Sequence, residues 1–598
     1  MKKVFHLFLM FSLAVIMLSV NYTAFAQEPE PTDEASAAQA TDEPAAEPTA
    51  EPTDEPTAEP TAEPTQEPTA EPTDEPTAEP TDEPTAEPTD EPTAEPTDEP
   101  TAEPTDEPTA EPTDEPTAEP TVEVTVEPTV EATVEPTVEP TVEVAGEIDE
   151  AASSNSPYTS EIFLQNTSSG DAQYSITYYD STTSYVGASG TLNGHGGRSV
   201  DVAGETNVPA NFKGSGVVQA ESQLAATVVQ YSSTDVMVSN GLTAAQGGST
   251  LFAPSVQCNY TSLLQTAELA VQNVTDGDIQ VTITLNKAGS SPVTSGPHTV
   301  NANESYFVNV PGLLGAACNN WLGSATVTTA NGSQIIVGVV NTTYGNANSA
   351  FSSEMVASGG SVLYFPTFQY NYAAPLNFNT NVAVQNTSPS SSIIVCAEYY
   401  QNNAKTGQTV QKSLGPLGKD SVRSTDFGLG GGNLGAAIFR AYSGGTCSAP
   451  GSAANTFVAV MNQFSLSDSN RVTSYGGFVG GSNAIAFPFG NWLPASSALD
   501  TYFAVQNVSG GNVDITATFY ETNSSGAVIS TKTLPVFASV ANGAKINPRI
   551  SDLAGVGANG SWTGVVEVTA TGPIVGLGTV QPGSLKQLAS YSSVPFTQ

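Results

Sequence analysis

The chain has 598 residues, with 15 Lys and Arg against 62 Asp and Glu, and its formal net charge is −47 at pH 7. An acidic chain without a basic patch is not expected to bind nucleic acid, because such binding depends on Lys and Arg contacts to phosphate. Of the acidic residues, 41 lie in the first 150 positions, so most of the charge belongs to the N-terminal part.

Residues 1–26 are predicted to form a secretory signal peptide. Lys2 and Lys3 precede an apolar stretch, and Ala24-Phe25-Ala26 is a small-x-small site, so cleavage is expected after Ala26. No later segment approaches the roughly 18 continuous apolar residues that a membrane span requires. We therefore expect a secreted or cell-surface chain with no membrane span after signal removal.

Residues 27–150 are predicted to be a disordered, acidic linker. Between Pro44 and Pro120 a proline occupies every fourth position, in repeated EPTA and EPTD units. Proline fixes φ and removes a backbone donor, which excludes regular helix and sheet, and the repeated glutamates repel one another. The composition favours an extended stalk that resembles polyproline II.

Residues 151–598 repeat one pattern four times. An apolar strand ends in a Gln-Asn pair, and later in each unit a strand carries a proline with an aromatic residue within two positions of it. Short runs rich in Val, Ile, Thr, Tyr and Phe alternate with Gly, Asn and Ser clusters, which is typical of β-sandwiches. We predict an all-β fold of four tandem immunoglobulin- or fibronectin-like β-sandwich modules, with these bounds: 151–256, 257–369, 370–490 and 491–598.

The asparagines of the four pairs are predicted to cap turns. Alternation places each of them on the core side at the end of its strand, where the side chain can bond the following turn. Each also matches the N-x-[ST] glycosylation pattern, and ligand contact is a third alternative; we favour the turn role. The residues are Asn166, Asn273, Asn386 and Asn507.

Four cysteines fall in the two middle modules, two in each. An even number in an exported chain favours disulfides, and pairing within a module predicts Cys258–Cys318 and Cys396–Cys447. Zinc is the alternative, but the sequence contains no C-x-x-C and its histidines stand singly.

No catalytic or metal-binding motif is recognisable, so we expect no enzyme activity, no metal and no cofactor. His195 and His298 lie in different modules, and paired carboxylates of a glycosidase are not excluded by spacing alone. Asp276 and Asp278 flank Gly277 in a turn, without the further ligands that calcium requires.

Trp321 and Trp562 occupy matching positions, two residues before a glycine in their modules. An exposed aromatic ring there could stack on a sugar, which makes these residues possible glycan contacts. The alternative, which we favour, is that they cover the core of the sandwich.

The order of aromatic–proline strand, [LV]QN turn and YY strand resembles tandem repeats of exported bacterial surface proteins that are themselves uncharacterised. With the signal peptide and the EPT repeat, the resemblance implies a surface-displayed array of β-sandwiches. We expect a non-enzymatic structural or adhesive protein, with a carbohydrate-binding surface protein that uses exposed aromatics as the alternative. The expected partner is a cell-envelope component, a surface glycan or a second copy.

Overall fold

The computed structural model describes residues 141–149, 158–492, 499–556, 560–582 and 588–597, with the backbone only at 141–149, 499–500 and 581–582. The predicted signal peptide and the predicted linker up to residue 140 lie outside the described residues. Within them the chain is all-β, as predicted, with one α-helix of five residues. The strands form four β-sandwiches, which we number in chain order.

Sandwich 1 contains β1 (Thr141–Asp149), β2 (Thr159–Asn166), β3 (Ala172–Tyr179), β4 (Ser184–Leu192), β5 (Gly197–Asp201), β6 (Lys213–Ala220), β7 (Leu224–Tyr231) and β8 (Val236–Asn240). They form two antiparallel sheets, a first sheet in the order β1-β6-β3-β4 and a second sheet in the order β5-β2-β7-β8. Ile162, Leu164, Ile176 and Val218 contribute to the core between them. Strand β1 lies within the range predicted as linker. Its β-branched segment completes the sheet by pairing with the free edge of β6, so the folded part begins earlier than the predicted boundary.

Sandwich 2 contains β9 (Thr250–Cys258), β10 (Gln265–Asn273), β11 (Ile279–Asn286), β12 (Val293–Val300), β13 (Ser305–Asn309), α1 (Val310–Leu314), β14 (Trp321–Thr329), β15 (Ile336–Tyr344) and β16 (Ala350–Glu354). Its first sheet has the order β12-β11-β14-β9 and its second sheet the order β13-β10-β15-β16. The helix begins where the Asn309 side chain accepts a hydrogen bond from the Gly312 N–H, with Pro311 in the first turn.

Sandwich 3 contains β17 (Val362–Tyr370), β18 (Phe378–Asn386), β19 (Ile393–Gln401), β20 (Ala404–Leu414), β21 (Lys419–Arg423), β22 (Asn433–Tyr442), β23 (Gly445–Thr446), β24 (Ala449–Pro450), β25 (Phe457–Ser465) and β26 (Val472–Gly476). The first sheet has the order β17-β22-β19-β20 and the second sheet the order β21-β18-β25-β26. Strands β23 and β24 form a separate small hairpin between β22 and β25.

Sandwich 4 contains β27 (Ser482–Trp492), β28 (Leu499–Asn507), β29 (Val513–Thr522), β30 (Val528–Thr533), β31 (Phe537–Val540), β32 (Lys545–Ile546), β33 (Trp562–Pro582), β34 (Ala589–Ser592) and β35 (Val594–Pro595). Strand β33 takes part in both layers. Its first half pairs with β27 and β29, and its second half pairs with β28 and β34, so the two layers join into one nine-stranded sheet.

The aromatic–proline strands begin sandwiches. Strands β9, β17 and β27 pair with β14, β22 and β33, which come later in the chain. Each aromatic–proline strand therefore belongs to the sandwich that follows it and not to the one that precedes it. The predicted boundaries after residues 256, 369 and 490 therefore fall inside strands. The segment just before β27 pairs with β17 of the preceding sandwich, through Phe478 and Tyr364. Near the C-terminal end, Val594 pairs in the same way with Ala486 of β27. The segment around Val594 therefore corresponds to one that precedes an aromatic–proline strand, and not to such a strand itself.

One contact, repeated four times, joins the sandwiches into a ring within a single compact unit. The first strand of each sandwich packs on the second sheet of the next: β1 on β10 and β15, β9 on β18 and β25, β17 on β28 and β33, and β27 on β2 and β7. The last of these contacts joins sandwich 4 back to sandwich 1. Strands β8, β16, β26 and β34 also contact one another in a closed cycle at the centre.

The strands at these contacts are buried on both faces. In β7, Leu224, Ala226 and Val228 point into the core of sandwich 1, while Ala225 packs against Ala484 and Ala486 of sandwich 4. Strands β15 and β25 show the same two-sided burial. Uncharged, small or β-branched side chains on both faces allow a sheet to be covered twice, once by its own sandwich and once by the neighbouring one.

Candidate functional site

Each asparagine of the four Gln-Asn pairs lies fully buried at the end of its strand and bonds the turn that follows. In every copy Oδ1 accepts the N–H two residues later, at distances of 2.9 to 3.0 Å. Nδ2 donates to carbonyl oxygens of that turn and of a second, neighbouring turn, for example from Asn507 to Gly511 at 2.6 Å and to Val540 at 2.7 Å. The stabilising role predicted for these residues stays a prediction.

Each glutamine of the pairs points the other way and is buried between sandwiches. Gln165, Gln272, Gln385 and Gln506 are at most 1% exposed. Gln506 Nε2 donates to the Gly543 carbonyl of its own sandwich at 3.1 Å and, at 3.4 Å, to the Ala437 carbonyl of sandwich 3. Sequence reasoning concentrated on the asparagine, although the glutamine recurs just as regularly and that recurrence was the available signal.

The second turn that Nδ2 contacts approaches the preceding sandwich in a left-handed conformation. The residues with positive φ at this position are His195, Asn303, Leu417 and Gly543. A Cβ on Gly543 would lie 2.8 Å from the Tyr400 ring of sandwich 3, so the absence of a side chain allows the close approach.

The contact between sandwiches 4 and 1 carries a polar cluster around Glu567, which is 5% exposed. Its Oε1 lies 3.0 Å from His195 Nδ1 and accepts from Gln165 Nε2 at 3.3 Å, while Oε2 accepts from the Tyr520 hydroxyl at 3.3 Å. The His195 ring stacks on Tyr520 at 4.9 Å between centroids. Burial raises the pKa of Glu567, and the hydrogen bonds from its three partners act in the opposite direction. The cluster is part of the contact through which sandwich 4 meets sandwich 1.

A cavity of about 390 Å³ lies where the four sandwiches meet. The residues at its wall include Asn240, Glu354, Gly476 and Ser592, which end the four central strands. Burial raises the pKa of the Glu354 carboxyl, and the backbone N–H groups of Gly476 and Asn240 act against this shift.

A larger cleft, of about 630 Å³, lies between sandwiches 3 and 4. Sandwich 3 contributes the end of β19 with Tyr400 and the β19–β20 turn with Asn403, and sandwich 4 contributes strands β31 and β32 with Lys545. Burial lowers the pKa of Lys545 to about 7. Nothing in the sequence pattern singles out this lysine, because its neighbours across the cleft lie more than a hundred positions earlier.

Both cysteine pairs form disulfides, Cys258–Cys318 and Cys396–Cys447, each within one sandwich. The first joins the end of β9 to the segment after α1, and the second holds the β23–β24 hairpin against the outer face of β19. Disulfides are expected in oxidising compartments, so they agree with an extracellular or cell-surface location.

Trp321 and Trp562 are 5% and 2% exposed and belong to the cores of sandwiches 2 and 4. Neither indole presents a free face for stacking on a sugar, so the contact considered from the sequence is not available in this fold. Both residues cover a core: the Trp321 ring folds back over Gly323 of its own strand, whereas the Trp562 ring lies against Gly490 of β27.

The remaining candidates stay apart from one another. Asp276 and Asp278 are exposed in the β10–β11 turn, and His298 stacks on Tyr306 and bonds Ser295 in sandwich 2. Among the described residues, no group of three or more His, Cys, Asp or Glu is placed to bind a metal ion. Within the same residues, no helix has the length and apolar character to cross a bilayer.

The family model that matches this chain covers a short N-terminal segment. A family model described as the PT disordered repeat matches residues 30–78, less than a tenth of the chain. No curated protein matches significantly. Among sixteen matching chains of solved structures is the pilus backbone (RrgB) from Streptococcus pneumoniae, at 10% identity, over 62% of this chain and 86% of that one, with a TM-score of 0.10. A similarity at that score carries no argument about fold or function. What the comparisons do show is the PT disordered repeat at residues 30–78.

Proposed function

We propose that the protein is a non-enzymatic structural protein of the cell exterior, which displays a rigid ring of four sandwiches on an extended acidic stalk. The closure of sandwich 4 on sandwich 1 through β27, β2 and β7 carries the proposal. A row held by the other three contacts alone would leave the second sheet of sandwich 1 uncovered, whereas closure through β27 covers it as well and fixes the relative positions of all four sandwiches.

The N-terminal segment and the disulfides support the location. A PT repeat precedes the folded part, and its Pro, Thr and Glu content favours a solvated, extended chain. Both disulfides join segments more than 50 residues apart, which is the kind of cross-link that exported proteins retain.

The placement of the polar groups supports a structural role. The His195–Glu567–Tyr520 cluster combines groups that are common in catalysis, but Glu567 lies buried at a contact between sandwiches. There its partners satisfy a carboxylate that would otherwise be unpaired, which stabilises the contact.

Two observations on the native protein test the proposal. Labelling of intact cells with an antibody against the folded part, together with cell fractionation, should find the protein outside the cytoplasm. Electron microscopy of the purified full chain should show one compact head; four separate beads, or a protein confined to the cytoplasm, would refute the proposal. Cross-linking on intact cells would then identify the partner, whether an envelope component, a surface glycan or a second copy.

A further inference from the structure

The cleft between sandwiches 3 and 4 combines one cation with several amides. Its wall is formed by the ends of β19 and β22, the turn between β19 and β20, and the segment from β31 to just beyond β32. Amide side chains line it, from Gln401, Asn402, Asn403 and Asn547, beside the rings of Tyr400 and Phe537. A volume of about 630 Å³ lies within the range of small-molecule sites.

Lys545 is the cation of this cleft and lacks an anionic partner. Within the described part of the chain, its ammonium group makes no ion pair, and the residues at the cleft wall include no Asp or Glu. Burial alone accounts for the lowered pKa, with no contribution from a neighbouring charge. An anion that enters the cleft would stabilise the charged form of this lysine, because it would supply the missing ion-pair partner.

The fold does not require a lysine at this position. Lys545 lies opposite Gln506 in the strand register, and the residues opposite the glutamines of the other three pairs are Gly197, Ser305 and Lys419. The equivalent space between sandwiches 4 and 1 has about 320 Å³ and carries Gly197 in place of the lysine. Sandwiches of the same construction therefore form without it.

We propose that this cleft binds an acidic sugar, with Lys545 contacting the carboxylate and the surrounding amides contacting the hydroxyl groups. Asn and Gln side chains each offer donors and an acceptor, which suits a polyhydroxylated ring, and a single cation suits a single carboxylate. A polyanion fits less well, because the folded part is itself acidic, with 21 Asp and Glu against 13 Lys and Arg in residues 151–598. The site is independent of the structural role proposed above and adds a ligand to it.

Calorimetric titration of the full chain at pH 6 with D-galacturonate, D-galactose and acetate tests the proposal. Galacturonate should bind at least tenfold more tightly than either control. Lys545→Gln should weaken it tenfold or more, and Lys545→Arg, which keeps the charge, should retain it. Lys419→Gln removes the lysine at the equivalent position of sandwich 3 and should leave the affinity unchanged.

The wall amides and the pH give independent measurements. Asn403→Gly removes an amide where φ is +64°, so the turn is retained, and it should weaken galacturonate at least threefold. The affinity should fall about tenfold or more between pH 6 and pH 8.5, as Lys545 loses its proton around pH 7. Tyr400 is the other titratable residue at the wall; burial raises its pKa, so it stays neutral in this range. Its hydroxyl donates to Glu398, which is paired with Arg440 and stays charged.

Three results would overturn the proposal: no binding of galacturonate, equal binding of acetate, or equal loss of affinity in Lys419→Gln. Thermal melting of each variant separates these results from misfolding. Mass spectrometry adds a test that needs no affinity change: limited acetylation at pH 7.5 should modify Lys545 ahead of exposed lysines such as Lys405, and galacturonate should protect it. Acetylation of Lys545 that galacturonate does not slow would also contradict the proposal.

Discussion

Replacing Asn273 by alanine removes five hydrogen bonds at one corner of sandwich 2. Nδ2 donates to the carbonyl oxygens of Gly277 at 2.8 Å, Val300 at 3.1 Å and Asn301 at 3.0 Å. Oδ1 accepts from the N–H and the hydroxyl of Thr275 at 2.9 and 2.6 Å. Asn273→Ala therefore removes the Asn273 bond from the Val300 carbonyl and the Thr275 N–H, in two turns that the side chain holds together. The carbonyls of Gly277 and Asn301 keep a second donor, the Thr275 hydroxyl at 3.1 Å and the Glu304 N–H at 3.2 Å.

The bond to Val300 is buried, whereas the Gly277, Asn301 and Thr275 groups are partly exposed and can bond water instead. A buried polar group without a partner costs about 1–3 kcal/mol, so we expect a loss of about 2–4 kcal/mol in the free energy of unfolding. Urea denaturation followed by fluorescence and circular dichroism measures it, with an unchanged m-value as the sign that only stability has changed.

Two further substitutions make the result specific. Asn273→Asp keeps the acceptor but loses the donor and places a carboxylate beside three carbonyls, so it should destabilise at least as much as alanine. Asn331→Ala removes one exposed bond, to the Ser333 N–H at 3.2 Å, and should cost about 0.5 kcal/mol or less. Unchanged unfolding of Asn273→Ala, or a glycan attached to Asn273 in the native protein, would refute the turn-capping role.

Three more predictions concern the contacts between sandwiches, the disulfides and the half-buried Lys545. Gly543→Ala should destabilise by about 1–3 kcal/mol more than Gly510→Ala in urea denaturation: both have positive φ, but only at Gly543 would the new Cβ meet a ring of the preceding sandwich; equal losses would contradict this. Replacing Cys258 and Cys318 together by serine should lower the free energy of unfolding by about 4 kcal/mol, the chain-entropy estimate for a loop closed over 60 residues; wild-type stability of the double variant would show that the cross-link contributes little. Lys545→Met should be more stable than wild type by roughly 2–4 kcal/mol at pH 6 and should gain nothing near pH 10.5. The pKa of Lys545 is lowered to about 7 in the folded chain, so between pH 7 and pH 10.5 the unfolded chain binds one more proton and the stability of the wild type rises with pH. A stability difference that does not change with pH would be inconsistent with a desolvated ammonium group.

The positions of the site residues show how far sequence reasoning reaches. Alternation along EIFLQN placed Asn166 toward the core, because side-chain direction in a strand follows from counting residues. The same counting placed Gln165 on the opposite face, but it could not tell that another sandwich covers that face. The continuous apolar run in β7 was the overlooked signal, since a strand with one face in water would alternate.

The sequence by itself determined the local features of this protein: an all-β fold, four repeats of one sandwich, the cysteines available for pairing within sandwiches and a proline-rich segment unable to form a core. Each depends on residue type and short spacing, which act over a few positions. Only the tertiary structure decided that the aromatic–proline strands begin sandwiches, that sandwich 4 closes on sandwich 1 and that Lys545 faces amides of the preceding sandwich. These outcomes depend on which uncharged surfaces pack together across a hundred or more residues, and packing of that kind is non-directional and leaves no spacing to read in the chain.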